Sequence, residues 1–430
     1  MSSAIDRRMA TEPPIYHLPV EILAIIFTLG QSVDFPQREP KSGWDWDPSV
    51  RGSLSLVSRH FREIITNTPS LWSKIRWRLS SDPLAPPEEF LVLCLQRSAS
   101  SHISWFISLH SCDKERANRL GQLVAAQLYR LRELHIHVVD FVVAFWVYAI
   151  LRDYPAPVLE YYGISGRASY DFPIFSGGAP QLRSIDIVAY ANVSPPPSKD
   201  PLPPFNTVTT LWINQPQRAL SPELVSTLTA SPVLTSLRLS VCDLNRSIVE
   251  ARIPTLTHLI IEGGSVWPIL LSIQAPALEV LSITDAEGFS DFYDMGPGTN
   301  KLPNLRSLSI RLFDWENFGD GIDHFTTSVF KQNTPLLAEL SLYINPDDVV
   351  SVLDDLGCEG WPRLQSLSIP RDTPTSAIRT ALQRRINAGQ CIQQLIRGDL
   401  VHKVDSSHGS HLLVEQLDSD PIPAQRAQYQ

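Results

Sequence analysis

Cysteine, glycine and charge are all sparse in this 430-residue chain. The five cysteines, Cys94, Cys112, Cys242, Cys358 and Cys391, lie far apart with no CxxC pair. That spacing suits neither a disulfide framework nor a cysteine zinc site, so five reduced thiols are expected. Glycine numbers 20 and charged residues make up 19%, both below ordinary usage. Long apolar runs are missing as well. The longest, Phe141 to Leu151, falls well short of the ~20 residues of a membrane span and reads as a buried helix. The opening MSSAIDRRMATEPP lacks the apolar stretch of a signal peptide. A soluble protein of the cytoplasm or nucleus is expected, with no membrane contact. Catalytic motifs are absent too: there is no HExxH, no P-loop, no GxGxxG after a strand and no GxSxG. The expectation is a protein that is not an enzyme and carries no cofactor and no metal.

What is present is apolar residue and proline. Apolar residues make up 43%, enough to bury a large core and to exclude wholesale disorder. The 35 prolines are about 8% of the chain, against a usual ~5%. With 36 basic and 45 acidic side chains the net charge is −9, which argues against a protein held to nucleic-acid phosphates.

A repeated phrase accounts for much of the proline. PQLRSIDI at 180–187 returns as PVLTSLRL, PTLTHLII, PALEVLSI, PNLRSLSI, PLLAELSL and PRLQSLSI. Ten copies start at Leu131, Leu159, Leu182, Val208, Leu234, Leu256, Leu278, Leu305, Leu337 and Leu364, spaced 22 to 32 residues apart. All keep apolar residues at offsets 0, 3 and 5, and eight carry proline two residues before the first. Offsets 3 and 5 point one way on a short strand, and offset 0 turns in from the segment before it. One such unit cannot bury its apolar edge alone, but stacked neighbours can. The proline suits a strand entrance, where no ladder N–H is needed. Between copies the chain returns by helices or turns. One runs from Asp347 and Asp348 through Val349, Val352, Leu353 and Leu356, with Gly357 placed to end it.

The L-x-x-L-x-L phrase resembles a leucine-rich repeat over residues 125–372. The resemblance implies a solenoid with a parallel strand sheet. It is irregular, because the Asn or Cys usual at offset 8 occurs only as Cys242 and Asn345. Residues 78–124 are expected to link or cap the N-terminal side. Residues 373–401, with Ile378, Leu382 and Ile386 at helical spacing, are expected to form a C-terminal helical cap. Residues 1–14 and the polar stretch 402–430 are expected to be flexible.

Residues 15–77 have another texture. Ile22, Ile25, Ile26 and Leu29 form one helical stripe. A second runs through Leu54, Val57, Phe61, Ile64 and Ile65 and must stop before Pro69. PSLWSKIRW follows, with Leu71 and Trp72 as an apolar anchor. Such a core is marginal at this size, so the module folds against a partner, against the repeats, or both. Periodicity alone does not separate a docking module from a cap on the repeat stack.

The blocks LPVEILAIIF and LSLVSRHFREIITNTPSLW resemble the F-box-like motif that ends in P-x-L-W. Leu18, Pro19, Glu21, Ile22, Leu23, Ile26 and Phe27 match its first half. Leu54, Val57, Ser58, Arg59, Phe61, Arg62, Leu71 and Trp72 match its second. The segment 30–52, containing SGWDWDPS, is longer than the usual connection. The fold class expected is thus α/β: a small all-α F-box-like module followed by an irregular leucine-rich-repeat solenoid. The resemblance implies the substrate-recognition subunit of an SCF-type cullin ubiquitin ligase. A Skp-type adaptor, and through it a cullin scaffold, would dock on Leu18, Pro19, Ile22, Leu23, Ile26, Val57, Phe61, Leu71 and Trp72. The rival reading is a protein-binding scaffold with an F-box-like cap and no ligase role.

Offsets 4 and 6 of each repeat strand face away from the core and form the candidate surface for a target protein. Its members are His135, His137, Asp186, Trp212, Asn214, Arg238, Glu262, Arg311 and Tyr343. Tryptophan, tyrosine and arginine are the usual anchors of protein interfaces. Ser240, Ser282, Ser309, Ser341 and Ser368 dilute the strip. His135 and His137 also read as a metal pair, but a metal needs further ligands, and two solvent-facing histidines are the stronger expectation.

Overall fold

The structure, a computed structural model, describes residues 14–33, 50–81, 87–166, 175, 177–189, 206–215, 226, 228–241, 250–263, 266–284, 302–311, 334–359, 361–390, 392–398 and 400–403. The central part of the expected 30–52 insertion lies outside them, as do residues 1–13 and 404–430. The fold is mixed α/β with a large parallel sheet. The chain divides into two compact units, residues 1–160 with 175–179, and residues 161–174 with 180–430.

The first unit opens on helices α1 (Val20–Val33), α2 (Val50–Val57) and α3 (Arg59–Asn67). The second apolar stripe, expected on one helix, is split between α2 and α3. Ser58 adopts extended backbone and its side chain accepts from the Phe61 N–H, so it ends one helix and caps the next. Phe61, Ile64 and Ile65 on α3 pack inward beside Leu23 and Phe27 of α1. The Phe61 ring lies 5.0 Å from Phe27 and 5.4 Å from Tyr16. A 3-10 turn, Pro69–Trp72, follows and buries Leu71 and Trp72. The Trp72 Nε1–H donates to the Ile65 carbonyl at 2.7 Å. Arg51 and Arg97 flank its ring at 4.8 and 4.4 Å.

Strands β1 (Lys74–Leu79), β2 (Ile103–Leu109) and β3 (Leu131–Val138) then form a parallel ladder. Helices α4 (Glu88–Arg97), α5 (Lys114–Ala125) and α6 (Phe141–Leu151) connect or follow them. The described part of 78–124, expected to link or cap, is strand and helix in the same rhythm as the repeat. It escapes the L-x-x-L-x-L pattern because a register shift after Ile103 sets that residue, one place late for the phrase, level with Leu131, while β1 belongs to the PSLW block. The buried Arg130 ties these elements together. Its guanidinium donates to the Leu95 carbonyl at 2.9 Å, to Ser98 Oγ at 3.1 Å and to the Ala99 carbonyl, and its Nε to Gln127 Oε1 at 2.8 Å.

In the second unit the strands are β4 (Tyr161–Gly166), β5 (Ser184–Ala189), β6 (Thr210–Gln215), β7 (Ser236–Val241), β8 (Ala251–Arg252), β9 (His258–Glu262), β10 (Ile273–Gln274), β11 (Val280–Thr284), β12 (Ser307–Arg311), β13 (Glu339–Tyr343), β14 (Ser366–Ile369), β15 (Gln394–Arg397) and β16 (Leu400–Lys403). The sheet order is β4-β5-β6-β7-β9-β11-β12-β13-β14-β15-β16, with β8 and β10 paired separately. All neighbours are parallel except β15 and β16. The register aligns like with like: Leu211, Leu237, Leu259, Leu281, Leu308, Leu340, Leu367 and Leu395 stand abreast. Every residue at offsets 0, 3 and 5 of the ten repeat copies is buried. These three columns are the core, and each copy closes its neighbour's apolar edge.

The repeated proline has a more specific task than expected. The N–H at offset 0 donates to the carbonyl three residues back, as in Leu256 to Ile253, Leu278 to Ala275, Leu305 to Leu302, Leu337 to Thr334 and Leu364 to Trp361. Proline two residues before offset 0 is therefore the second residue of a tight turn, where its fixed φ is already correct. The next two N–H groups both donate to one carbonyl of the preceding copy; Thr235 and Ser236 share the Thr209 carbonyl, and Thr257 and His258 that of Thr235.

The second unit also holds helices α7 (Val266–Ser272), α8 (Pro346–Glu359) and α9 (Thr375–Asn387). Helix α8 runs through Gly357 rather than ending there, with Val349, Val352, Leu353 and Leu356 buried. The expected C-terminal cap contains α9 and more. Strand β15 extends the parallel series past 372, and antiparallel β16 pairs along its edge as the last strand of the sheet. Arg397, at offset 5 of β15, hides this copy from an apolar pattern. Its guanidinium instead donates to the Arg371 and Thr373 carbonyls and to Thr375 Oγ1. Among the described residues no helix is long and apolar enough to cross a membrane.

Candidate functional site

An amphipathic helix normally turns its apolar stripe inward. Helix α1 does so only in part. Leu23 and Phe27 are buried, but Ile25 and Leu29 are 55% and 62% exposed, with Ile22, Ile26, Leu18 and Val20 exposed beside them. On α2, Leu56 and Val57 are 79% and 58% exposed. Ala24, Ile25, Thr28 and Leu29 of α1 and Ser70 of the 3-10 turn line an apolar groove of about 280 Å³. The sequence-predicted docking residues thus fall into two sets. Leu18, Pro19, Ile22, Ile26 and Val57 are exposed. Leu23, Phe61, Leu71 and Trp72 are core residues of the first unit and offer no surface, because the helices close on them from several sides. Ile25, Leu29 and Leu56 complete the exposed face. For Ile25 and Leu29 the helical spacing with Ile22 and Ile26 was the available signal.

The outward face of the sheet is the second candidate, one patch in each unit. In the first, His135 and His137 are partly buried rather than solvent-facing. The His135 ring stacks on Phe106 at 4.4 Å with an 11° tilt. Burial, then the neighbouring His137, lowers its pKa to about 3. Burial, then His110, lowers that of His137 to about 4. His110 Nε2 lies 3.0 Å from the Ser108 hydroxyl. Both imidazoles on β3 are neutral near pH 7. No group of three or more His, Cys, Asp or Glu side chains is placed to hold a metal among the described residues.

Register brings Asp186, Trp212 and Arg238 abreast in the second unit, with Asn214, Ser240 and Glu262 in the row beside them. The Tyr161 hydroxyl donates to Asp186 Oδ2 at 2.7 Å. Burial raises the Asp186 pKa, opposed by that hydrogen bond and by Arg238. Arg238 lies over the Trp212 ring at 4.3 Å and donates to Glu262 Oε1 at 2.6 Å, while Ser240 donates to Glu262 Oε2 at 2.6 Å. Farther along the sheet, Arg311 lies 4.7 Å over the Tyr343 ring, and the Tyr343 and Ser368 hydroxyls are 3.0 Å apart. The strip is a chain of mutually oriented polar and aromatic side chains suited to holding a ligand surface.

The face holds one further set of residues that the repeat pattern did not nominate. Lys74, Arg76 and Arg78 alternate with the buried Ile75, Trp77 and Leu79 along β1. That strict period of two was legible in KIRWRL, but the segment straddled the boundary between the PSLW block and the expected link. Set against protein-family models and curated protein sequences, the chain matches none.

Proposed function

We propose that this chain is the substrate-recognition subunit of an SCF-type cullin ubiquitin ligase, built as an F-box-like module and an irregular leucine-rich-repeat solenoid. The observation that carries the reading is the apolar face of α1 and α2. Ile22, Ile25, Ile26 and Leu29 stand exposed along α1, with Ile25 and Leu29 lining an apolar groove, and Leu56 and Val57 stand exposed on α2, in a segment whose residues resemble the F-box-like motif. Single exposed apolar residues need no explanation, but a contiguous patch marks an interaction site. A Skp-type adaptor would cover Leu18, Pro19, Ile22, Ile25, Ile26, Leu29 and Val57, and would link the chain to a cullin scaffold. The in-register columns of buried leucine support the repeat reading, and the outward strip would hold the target protein. Catalysis would be proximity alone, a tethered target brought near a charged ubiquitin-conjugating enzyme. This chain would contribute no acid, base or nucleophile.

The test is co-purification of the full chain with a Skp-type adaptor, beside the Ile22→Asp/Ile26→Asp variant. Adaptor retained by the native chain and lost by the variant, with a cooperative thermal unfolding transition kept by both, is expected. Equal capture by both chains overturns the interface. No capture by either favours the second reading, a protein-binding scaffold without a ligase role. The long connection between α1 and α2 is the observation on that side.

A further inference from the structure

The outward face of the β1–β3 ladder is basic in a chain whose net charge is −9. Along β1, Lys74, Arg76 and Arg78 share one face, roughly 6.6 Å apart by strand geometry. Register carries two of them across the sheet: Arg76 stands level with Phe106 and His135, and Arg78 with Ser108 and His137. Neither row contains an acidic residue. Glu133 shares the face at the margin, level with Ser104 and Lys74. The Nε of Arg78 is buried with no hydrogen-bond partner. Phe106, itself buried, stacks on the half-buried His135 in the row of Arg76.

We propose that this face binds an acidic segment of the target protein, laid out extended with phosphate or carboxylate groups against Arg76 and Arg78 and with Lys74 at the margin. Alternate side chains of an extended peptide recur at the same ~6.6 Å as the cations of β1. Arginine presents paired N–H donors that match the oxygens of a carboxylate or phosphate. His135 and His137, neutral near pH 7, contribute no charge. The proposal rests on reading the sheet face as the target-holding surface. It is independent of adaptor docking, so its failure and that of the adaptor interface are separable.

The experiment uses the full chain and fluorescein-labelled peptides read by anisotropy: alternating Gly-phosphoserine, alternating Gly-Glu, alternating Gly-Ser, and a single-stranded oligonucleotide of matched charge. Binding of the phosphoserine or glutamate peptide, but not of Gly-Ser, is expected, weakening steadily between 50 and 300 mM salt. A phosphoserine affinity tenfold above that of glutamate assigns phosphate as the recognised group; equal affinities assign clustered carboxylates. Arg76→Gln and Arg78→Gln should each weaken binding about tenfold or more, the loss of one charge-assisted contact. Arg78→Lys, which keeps the charge and the solubility of the strand, should fall between. Affinity for Gly-Glu should stay flat from pH 7.5 to 5.5. Four results each overturn the proposal: equal binding of Gly-Ser, salt-independent binding, tighter binding of the oligonucleotide, or a tenfold gain below pH 6.5 that assigns the site to imidazolium charge. So does an absence of binding, which would leave the three cations as guards of a strand at the sheet edge.

Discussion

Helix α1 offers an internal comparison, because residues of the same chemistry point in opposite directions from it. Leu23 is fully buried, whereas Ile25 and Leu29 are more than half exposed. Full burial of such a side chain contributes about 2 kcal/mol. Leu29 and Ile25 therefore give up about 1 kcal/mol each when changed to serine, and the double variant loses about 2 kcal/mol at most. Leu23→Ala forfeits the transfer term and leaves a cavity as well, for about 3 kcal/mol or more from one residue. The order reverses for adaptor binding. The exposed halves of Ile25 and Leu29 together hold about 2 kcal/mol of burial still to be gained, which is about thirty-fold in Kd.

The assay pairs urea unfolding of both variants, followed by tryptophan fluorescence, with titration of a Skp-type adaptor. Ile25→Ser/Leu29→Ser should unfold at a midpoint lowered less than that of Leu23→Ala and bind weakly. Leu23→Ala should unfold early and, below its transition, bind with near-native affinity. Two outcomes refute the reasoning. If the serine variant unfolds as early as Leu23→Ala, the face is already covered in the free protein. If it binds the adaptor as tightly as the native chain, docking lies elsewhere.

Three further expectations follow from particular contacts. Unfolded histidines protonate near pH 6.5, but folded His135 and His137 do so only near about 3 and about 4. Between these values the unfolded state holds more protons, so stability is complete above pH 6.5 and falls as pH drops toward 4. Urea midpoints across that range should show the decline, and His135→Gln should flatten it; a slope unchanged by the substitution would exclude His135 as its source. Arg130→Met leaves the Leu95 carbonyl and Ser98 Oγ, both acceptors of the buried guanidinium, without that donor. It should cost about 3 kcal/mol in urea unfolding, and a cost below 1 kcal/mol would remove the cluster from the account of stability. Gly177→Ala places a Cβ 2.8 Å from the backbone nitrogen of Pro155. Backbone cannot step aside as a side-chain tip can, so a loss of about 1–3 kcal/mol is expected by thermal unfolding, and a neutral result would show that the turn relaxes.

The buried half of this protein was legible because burial imposes a period. At offsets 0, 3 and 5 each residue meets its equivalent in the next copy, so a polar side chain there has no partner unless one is built for it. Where a partner is built, the pattern fails: Arg397 occupies offset 5 of β15 because two carbonyls and a hydroxyl accept from its guanidinium. At β2 it fails for another reason: a register shift after Ile103 sets that residue level with Leu131, one place out of the phrase. The tight turn before each strand was visible as a proline, but its meaning was not, since proline suits a strand start and the second position of a turn equally. Only the recurrent hydrogen bond to the carbonyl three residues back distinguishes them.

The outward half obeys a weaker rule. The period of two says that Arg76, Trp212 or Arg238 points away from the core, and says nothing of what each side chain finds there. Trp212 lies under Arg238 only because the parallel register sets β6 and β7 level. Arg238 reaches Glu262 only because β9 follows β7 in the sheet while β8 leaves it. Helix α1 shows the same limit from the other side. Its stripe of Ile22, Ile25, Ile26 and Leu29 satisfies the spacing of a core-facing helix, yet Leu23 and Phe27 are the residues that pack inward. A sequence apolar on two faces does not declare which face its own fold will use. The face left over is the one that a partner can compete for, and it is exposed here because α3 and the 3-10 turn fill the space beside Leu23 and Phe27 first.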